Sequence, residues 1–600
     1  MNKRYTYVLL AGIVLAALVI VLPPASSAGA RPAAASSDVD KDKAATADTR
    51  TYLKRLEKLG FAGVVLVAKG GTPLLAEGFG LADRERGLRW TPATVSCTGS
   101  ITKQFTGAAI LKLEEDKRLN VTDPITLYFK DVPADKAQIT LHQLLTHSSG
   151  LADPEGIDDY DPVPLAEYVR RVLSQPLLFA PGAGYTYSNA NFSLLGAIIE
   201  KLSGLSYEAF VRERLFLPNE MYETGYILPQ WGDGRMAQGY DNAGKLWGTV
   251  LGHPMAADGP HWALRANGGI HSTAYDMLRW SQALLDGRVL SPESMKKLWA
   301  PHVGEGGDTF YGYGWSIAKA PDGTKIITHN GGNGIFFADL AIVPDAGLVV
   351  FLMTNVIAET RVANALLEQL GMRFLAGQPY PAIPEIVDLD AAALKVLAGT
   401  YRLPGNGGGY RLTMDGKALF IEAEGQKAFA LLNSVREAEP GRLEKLDRLT
   451  GEIVTGNRKG DFAPLFKAYG GRNPMDLLKT RWADVAKNIE EEHGRILRHE
   501  VLGTARTQER DETVVRFQCE KGNVDMTYVW DLKEEGRLLG RSDRGLAVRM
   551  RLYASGEREF FTWDGGIRLP KLVHFELGAD GKPGLRIGEP KGLVATRLRP

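Results

Sequence analysis

At 600 residues and 65.4 kDa the chain exceeds what one hydrophobic core usually spans, about 250–300 residues, so two or three domains are expected. Its 71 basic and 71 acidic side chains cancel, which removes any general pull toward nucleic acid or anionic lipid. Cys97 and Cys519 are the only cysteines, too few for a disulfide framework, and the histidines carry no metal-motif spacing: His142 and His147 lie five apart, off a common helical face. Neither a metal nor another cofactor is expected.

The N-terminus reads Met1-Asn2-Lys3-Arg4, then an apolar run from Tyr7 to Leu22, then Pro23-Pro24 and small residues through Ala28-Gly29-Ala30. This is the plan of a secretory signal, so residues 1–30 are expected to be a signal peptide and the working part periplasmic or extracellular. The run falls short of the roughly 18–20 residues of a spanning helix, and an uncleaved membrane anchor is the alternative. Residues 31–46, rich in Ala, Ser, Asp and Lys without apolar periodicity, read as a flexible lead-in, with order setting in near Thr51. Val64 to Ala68 and Leu74 to Phe79, separated by Gly70-Gly71, read as a hairpin that opens an antiparallel sheet.

Ser100-Ile101-Thr102-Lys103 follows, a serine three residues before a lysine at the start of a helix. That spacing is about one turn and puts both side chains on one face. The pattern also occurs at Ser294/Lys297 and Ser316/Lys319, so context must decide. After Ser100 the residues Ile101, Phe105, Ala108, Ala109, Ile110, Leu111 and Leu113 cover nearly every side of the helix, the pattern of a buried one. Burial strips an ammonium of solvation and lowers its pKa, so Lys103 can be neutral near pH 7 and accept the serine proton. Ser294 instead belongs to the capped, charged start Ser291-Pro-Glu-Ser-Met-Lys-Lys, and Ser316 follows the strand-like Tyr311-Gly-Tyr-Gly-Trp315.

Further along, Leu144-Leu-Thr-His-Ser-Ser-Gly150 closes an apolar helix, with Gly150 as a left-handed cap. Pro181-Gly-Ala-Gly184 turns into Tyr185-Thr-Tyr187-Ser-Asn189, which places Tyr187 and Asn189 on a tight loop before the helix from Phe192 to Leu202. Ala266-Asn-Gly-Gly-Ile270 leads into a helix containing Trp280, Leu284 and Leu285. Tyr311 to Ile317, Lys325 to His329, Ala338 to Val343 and Leu348 to Met353 read as strands, with His329-Asn330-Gly331-Gly332 between two of them, and Val362 to Phe374 as a last helix on this sheet.

Ser100-x-x-Lys103, Tyr187-x-Asn189 and His329-x-Gly331 occur in that order, 87 and 142 residues apart. Together with Leu144-Leu-Thr-His-Ser-Ser-Gly, Pro181-Gly-x-x-Tyr-x-Tyr-Ser-Asn and Tyr311-Gly-Tyr-Gly-Trp, they give residues 50 to 375 a likeness to a known family. The chain resembles the serine β-lactamase and penicillin-binding proteins, in particular their class C-like esterase and peptidase branch. The resemblance implies an antiparallel sheet flanked by helices plus a helical subdomain. It implies that Ser100 attacks a carbonyl, that Lys103 and Tyr187 share proton transfer, and that Asn189 holds Lys103 and the substrate amide. Adjacent bases shift each other's pKa, so a lysine near a tyrosine is expected to favour the phenolate that can take the serine proton. The backbone N–H groups of Ser100 and Gly332 would form the oxyanion hole, with glycine at 331 and 332 allowing close approach. His329 stands where relatives that bind β-lactams or D-alanyl peptides usually have lysine, so attraction for a substrate carboxylate should be weaker. The expected activity is hydrolysis of a small acyl ester, amide or peptide, with poor penicillin turnover. The alternatives are a D-amino-acid-specific peptidase or carboxypeptidase on cell-wall peptides, and a sensor that is acylated once without turnover.

The hydrolase domain is expected over residues 47–378, followed by a linker at 379–390 around Pro381 and Pro384. Leu397 to Tyr401, Tyr410 to Met414 and Leu419 to Ile421, with Asp415-Gly416 as a turn, suggest a small β-rich module at 391–440. Residues 441–600 read as helices followed by a curved sheet, an α+β roll resembling the nuclear-transport-factor-like fold. Its best-marked helix has Asn473 as cap and Pro474 at its first position, and a hairpin joins Val515-Phe517-Cys519 to Val524-Met526-Tyr528-Trp530 through Gly522-Asn523. The fold class is therefore α+β throughout.

Overall fold

A computed structural model describes residues 34–241, 244–320, 322–356, 360–471, 475–507, 510–542, 546–563, 570–577, 583–588 and 593–598. One compact unit runs to Tyr380 and a second starts at Pro381.

The first unit is built on one antiparallel sheet. Its strands are β1 (Gly63–Lys69), β2 (Thr72–Phe79), β3 (Val303–Gly306), β4 (Thr309–Tyr311), β5 (Ser316–Lys319), β6 (Lys325–Gly332), β7 (Phe337–Val343) and β8 (Leu348–Thr354), in the order β2-β1-β8-β7-β6-β5-β4-β3. In β1 the side chains of Val64, Leu66 and Ala68 enter the main core, while Val65 and Val67 on the other face are equally sealed. An apolar run without alternation is what a strand covered on both faces requires. Covering is supplied by α1 (Ala34–Lys58), α2 (Thr102–Glu115), α3 (Leu141–Leu145), α4 (Asn189–Ser203), α5 (Ala274–Leu285) and α6 (Thr360–Ala376). The α5 helix packs on β1 and β8, α6 on β7 and β8, and α2 against α4.

Three local expectations are corrected here. The lead-in at 31–46 is helical from Ala34 onward as part of α1; Thr49 and Leu53 are buried, and the Thr49 hydroxyl bonds the Tyr380 hydroxyl at 2.7 Å. The apolar positions that anchor this helix lie at its C-terminal end, which is why its polar first half carries no periodic signal. The stretch from Tyr311 to Ile317 is not one strand. It breaks after Tyr311 so that Gly312 to Trp315 can lie on the backbone of α2: a Cβ on Gly314 would overlap the Lys103 carbonyl, and one on Gly107 would overlap that of Tyr313. Finally, His329 to Gly332 lies within β6 rather than between strands, paired across β7 as His329↔Leu340, Asn330↔Asp339 and Gly331↔Ala338. The N-terminal signal segment lies outside the described residues, and none of the described helices is long and apolar enough to cross a membrane.

In the second unit, β9 (Gly399–Arg402), β10 (Gly409–Asp415) and β11 (Ala418–Glu424) are followed by α7 (Gln426–Asn433), α8 (Arg442–Lys459), α9 (Met475–His493) and a four-stranded sheet. That sheet comprises β12 (Ile496–Arg506), β13 (Asp511–Cys519), β14 (Gly522–Trp530) and β15 (Leu538–Ser542). Then come β16 (Arg549–Ala554), β17 (Glu559–Thr562), β18 (Lys571–Leu577), β19 (Pro583–Ile587) and β20 (Val594–Arg597). The strands β9-β10-β11-β16-β17-β18-β19-β20 form a closed barrel, joined where β20 pairs with β9 at Tyr401↔Arg597. The two modules expected in succession are therefore nested: residues 549–597, expected in the roll, complete the barrel begun at 399, and the helices with their sheet are an insertion in it. Neighbouring side chains of β13 show how the two are joined. Val514 belongs to the barrel core and Val515 to the core beneath α8 and α9, the alternation of a strand shared by two cores. The proposed cap Asn473 and Pro474 lie outside the described residues, while the 515–530 hairpin forms as expected, in the register Cys519↔Gly522.

Candidate functional site

Ser100 sits in a 3₁₀ turn, Gly99–Ile101, that leads into α2. Eleven of the helix's fourteen residues are buried, Lys103 among them with 0 % exposure. Lys103 Nζ lies 3.0 Å from Ser100 Oγ, 2.8 Å from Asn189 Oδ1 and 2.8 Å from the Asn267 carbonyl. Three acceptors match the three N–H bonds of an ammonium, so the charged form is fully paired. Burial nevertheless dominates and pushes its pKa down from 10.5 to about 7, against the pull of the Asp153 and Asp159 carboxylates. In the neutral amine the lone pair replaces one N–H, and Ser100 can then donate to it. The other Ser-x-x-Lys pairs do neither: Ser294 and Lys297 lie on a short helix where Lys297 binds Glu114 at 2.7 Å, and Ser316 to Lys319 forms β5.

Tyr187 comes to the same point from the opposite wall. Its ring lies 4.7 Å beneath Lys103 Nζ. Burial drives the phenol pKa up from 10.0, the neighbouring Ser100 hydroxyl opposing it only in part. The phenolate expected beside the lysine is thereby corrected: burial keeps the Tyr187 phenol protonated near neutral pH, and the neutral form of Lys103 is the stronger candidate base. Asn189 is the first residue of α4 rather than a loop residue. The N-terminus of that helix is held by Asp153 Oδ1, which accepts from Ser188 Oγ and Ala190 N–H, each at 2.8 Å.

The β6 edge closes the site. A Cβ on Gly331 would overlap Thr98 O and Ser100 N, and one on Gly99 would lie 2.5 Å from Gly332 N. Glycine at 331 is what lets the strand press on the turn that carries Ser100, bringing the 100 and 332 backbone N–H groups to one place. Gly332 is exposed. His329 is 5 % exposed, and both ring nitrogens are occupied: Nδ1 faces the Asn330 carbonyl at 2.5 Å and Nε2 the Tyr311 hydroxyl at 2.9 Å. A carbonyl only accepts, so Nδ1 carries the proton and Nε2 accepts from Tyr311. Burial and the neighbouring Lys103 hold the imidazole pKa down at about 3.

A family model described as beta-lactamase matches residues 46–370, more than half of the chain. The chain belongs to the beta-lactamase family. Its members are serine hydrolases, and the sheet-and-helix unit ending at Tyr380 has the family's fold. Among curated relatives, penicillin-binding protein 4* of Bacillus subtilis is 28% identical over 401 residues, spanning 63% of this chain and 87% of its own. The putative penicillin-binding protein PbpX of the same organism is 31% identical over 263 residues, 44% of this chain and 64% of its own. A solved penicillin-binding protein from Bacillus halodurans is 27% identical, covers 51% of this chain and 94% of its own, and superposes with a TM-score of 0.45.

All seven residues singled out in this beta-lactamase family sequence, Ser100, Lys103, Tyr187, Asn189, His329, Gly331 and Gly332, fall in or against this cluster. Three partners were not singled out. Asn267 acts through its carbonyl, which no side-chain pattern reports, although Ala266 beside it has φ +66° and marks an unusual turn in Ala266-Asn-Gly-Gly. Tyr311 and His147 stand in the quoted phrases Tyr311-Gly-Tyr-Gly-Trp and Leu144-Leu-Thr-His-Ser-Ser-Gly, which carried the resemblance without a role for either residue.

Proposed function

We propose that this chain is an exported acyl-enzyme hydrolase that cleaves an ester or amide carrying an uncharged acyl group, with β-lactams turned over poorly. Ser100 Oγ attacks the carbonyl carbon and passes its proton to neutral Lys103. The oxyanion is held by the N–H groups of Ser100 and Gly332, and the leaving group departs with the proton that Lys103 took up, relayed by the Tyr187 hydroxyl. Water then attacks the acyl-enzyme, its proton returns through Tyr187 and Lys103, and the acid leaves as Ser100 Oγ recovers a proton. The observation that carries this reading is the 3.0 Å contact of Ser100 Oγ with a lysine whose pKa is pushed down to about 7. The neutral, doubly bonded His329 supports the choice of an uncharged acyl group, since it offers neither charge nor a free N–H to a carboxylate. Export is supported by Lys3-Arg4, the apolar run to Leu22 and the small residues through Ala30.

The test is the time course of p-nitrophenyl ester hydrolysis by residues 31–600, with Ser100→Ala as control. Steady turnover that the substitution lowers by about 10³-fold or more is expected. One stoichiometric burst without turnover would replace the hydrolase by a sensor, and equal rates in the two proteins would remove Ser100 as the nucleophile.

A further inference from the structure

We propose that His147 is a positioning residue that holds Tyr187 at the nucleophile by binding the backbone on both sides of it; the proposal rests on the roles given to Ser100 and Tyr187 above. His147 follows α3, is 0 % exposed and has φ +55°, a left-handed conformation that costs a branched or bulky residue free energy and that Asn and Gly adopt most readily. Its carbonyl accepts the N–H of Thr186 at 3.0 Å, and its Nδ1 accepts the N–H of Ser188 at 3.2 Å. The Ser188 N–H belongs to the peptide unit that follows Tyr187 and the Thr186 N–H to the residue before it, so one residue ties the chain down on both sides of Tyr187. The imidazole also lies on the Tyr187 ring, with centroids 4.3 Å apart, and touches Phe192 and Tyr311 at 5.1 and 4.7 Å.

The tautomer follows from the backbone. A peptide N–H can only donate, so Nδ1 must present its lone pair to Ser188, and Asn191 Nδ2, also 3.2 Å away, approaches as a second donor. The proton is therefore on Nε2, which is buried without a hydrogen-bond partner among the described residues. Protonating the ring would break the Ser188 bond and set a second cation beside Lys103; burial, Lys103 and His329 all hold its pKa well below 6.5. His147 thus stays a neutral acceptor. Its strained backbone and orphaned Nε2–H are features that packing alone would not select, because an apolar side chain would fill the same space without leaving a buried donor unpaired.

The experiment compares His147→Asn, His147→Gly and His147→Phe in the full chain, with steady-state ester hydrolysis and thermal unfolding measured on each. Asn tolerates the left-handed backbone and puts Oδ1 where Nδ1 was; Gly tolerates the backbone but has no acceptor; Phe keeps a ring and has no acceptor. A displacement of about 1 Å at the reacting groups can cost on the order of 10²-fold, so kcat should fall about 10- to 100-fold in H147G and H147F with KM changed less than about threefold. H147N should keep kcat within about fivefold of the parent. A packing role predicts the reverse order, H147F best and H147N and H147G falling together, and that order overturns the proposal. If H147G or H147F does not fold, a folded H147N that loses more than about tenfold in kcat overturns it alone, and one within fivefold supports it. Activity that survives Ser100→Ala would overturn the underlying assignment instead, so the two failures are distinguishable.

Discussion

Replacing Asn189 with Leu should move the acid limb of the pH–rate profile downward. Lys103 donates to three acceptors when charged, and Asn189 Oδ1 at 2.8 Å is one of them. An acceptor bonded to an ammonium contributes about 1.5–3 kcal/mol, whereas one bonded to a neutral amine contributes about 0.5–1.5 kcal/mol. Removing it from both forms therefore disfavours the charged one by about 1–1.5 kcal/mol, close to one pKa unit at 1.36 kcal/mol per unit. From about 7 in the parent, the Lys103 midpoint should fall to about 6. The plateau rate will drop as well, since Asn189 also orders the site, but the midpoint is independent of that amplitude. Asp159, whose own pKa burial raises to about 6, titrates in the same field and helps to hold Lys103 up. Asp159→Asn is therefore the second arm and should move the limb in the same direction by a smaller amount. The assay is kcat/KM for an uncharged ester between pH 5 and 9. A limb in N189L that stays at the parent's position or moves to higher pH would refute the identification of Lys103 as the titrating base.

Gly331→Ala should lower kcat/KM by about 10²-fold or more, because its Cβ overlaps Thr98 O and Ser100 N and would push the oxyanion strand off the nucleophile; Gly332→Ala, whose Cβ comes no closer than 3.2 Å to the Phe336 carbonyl, should fold normally, and equal unfolding temperatures for both would count against this packing. Asp339, 5 % exposed with one oxygen unpaired among the described residues, has its pKa raised by burial from 3.8 to about 7. The folded chain then binds a proton that the unfolded chain has lost between about pH 4 and 7, so stability falls as pH rises through that window and the penalty persists above it. Asp339→Asn should leave the melting temperature unchanged near pH 4 and raise it at pH 8, by no more than about 4 kcal/mol in free energy, and a gain confined to low pH would contradict the assignment. Asp511, 0 % exposed, accepts from Arg442 Nε at 2.7 Å and from Arg506 Nε and Nη2 at 2.7 and 3.0 Å. Asp511→Ala removes the carboxylate the two guanidiniums share and leaves Arg506 with Glu439 at 2.8 Å and Arg442 with the Asp531 carbonyl at 2.7 Å, so it should cost about 1–3 kcal/mol in urea unfolding of the C-terminal unit; no measurable loss would show that these remaining partners and water suffice.

What the sequence made legible follows from the range of each interaction. The Ser100 helix could be read because burial on every side leaves an unbroken apolar pattern, and the barrel strands because their alternation is local. The order of strands in the barrel was not legible. Closure depends on β9 meeting β20 almost two hundred residues later, and nothing in Tyr401 or Arg597 alone names the other. The insertion was misplaced for the same reason: Val515, Phe517 and Cys519 read as one strand face, and only the fold shows that Val514 on the opposite face enters a different core. In the site, side-chain motifs found the groups that act through side chains. Asn267 was missed because it acts through its carbonyl, and His147 because the strain that distinguishes it, a positive φ on a buried imidazole, leaves no mark in composition.

The hydrogen bonds around Ser100 also account for the kind of substrate proposed. The polar groups of the cluster are committed to the nucleophile and to one another: Lys103 to three acceptors, His329 to Tyr311 and Asn330, His147 to the peptides around Tyr187. Of these groups only Lys103 can carry a positive charge near neutral pH, and its three donors are taken when it does. The charges that remain at the cluster's edge, Asp153 and Asp159, are negative. A substrate carboxylate would meet that field with no cation offered in exchange, whereas an uncharged acyl group needs only the Ser100 and Gly332 N–H groups, whose strength grows as water is excluded. Changing His329 to lysine would therefore not suffice to recruit carboxylates. Its ammonium would enter a space already bounded by Lys103 and would lower that base's pKa further before it reached a ligand, so an acidic substrate should gain in KM less than the acid limb of the profile shifts.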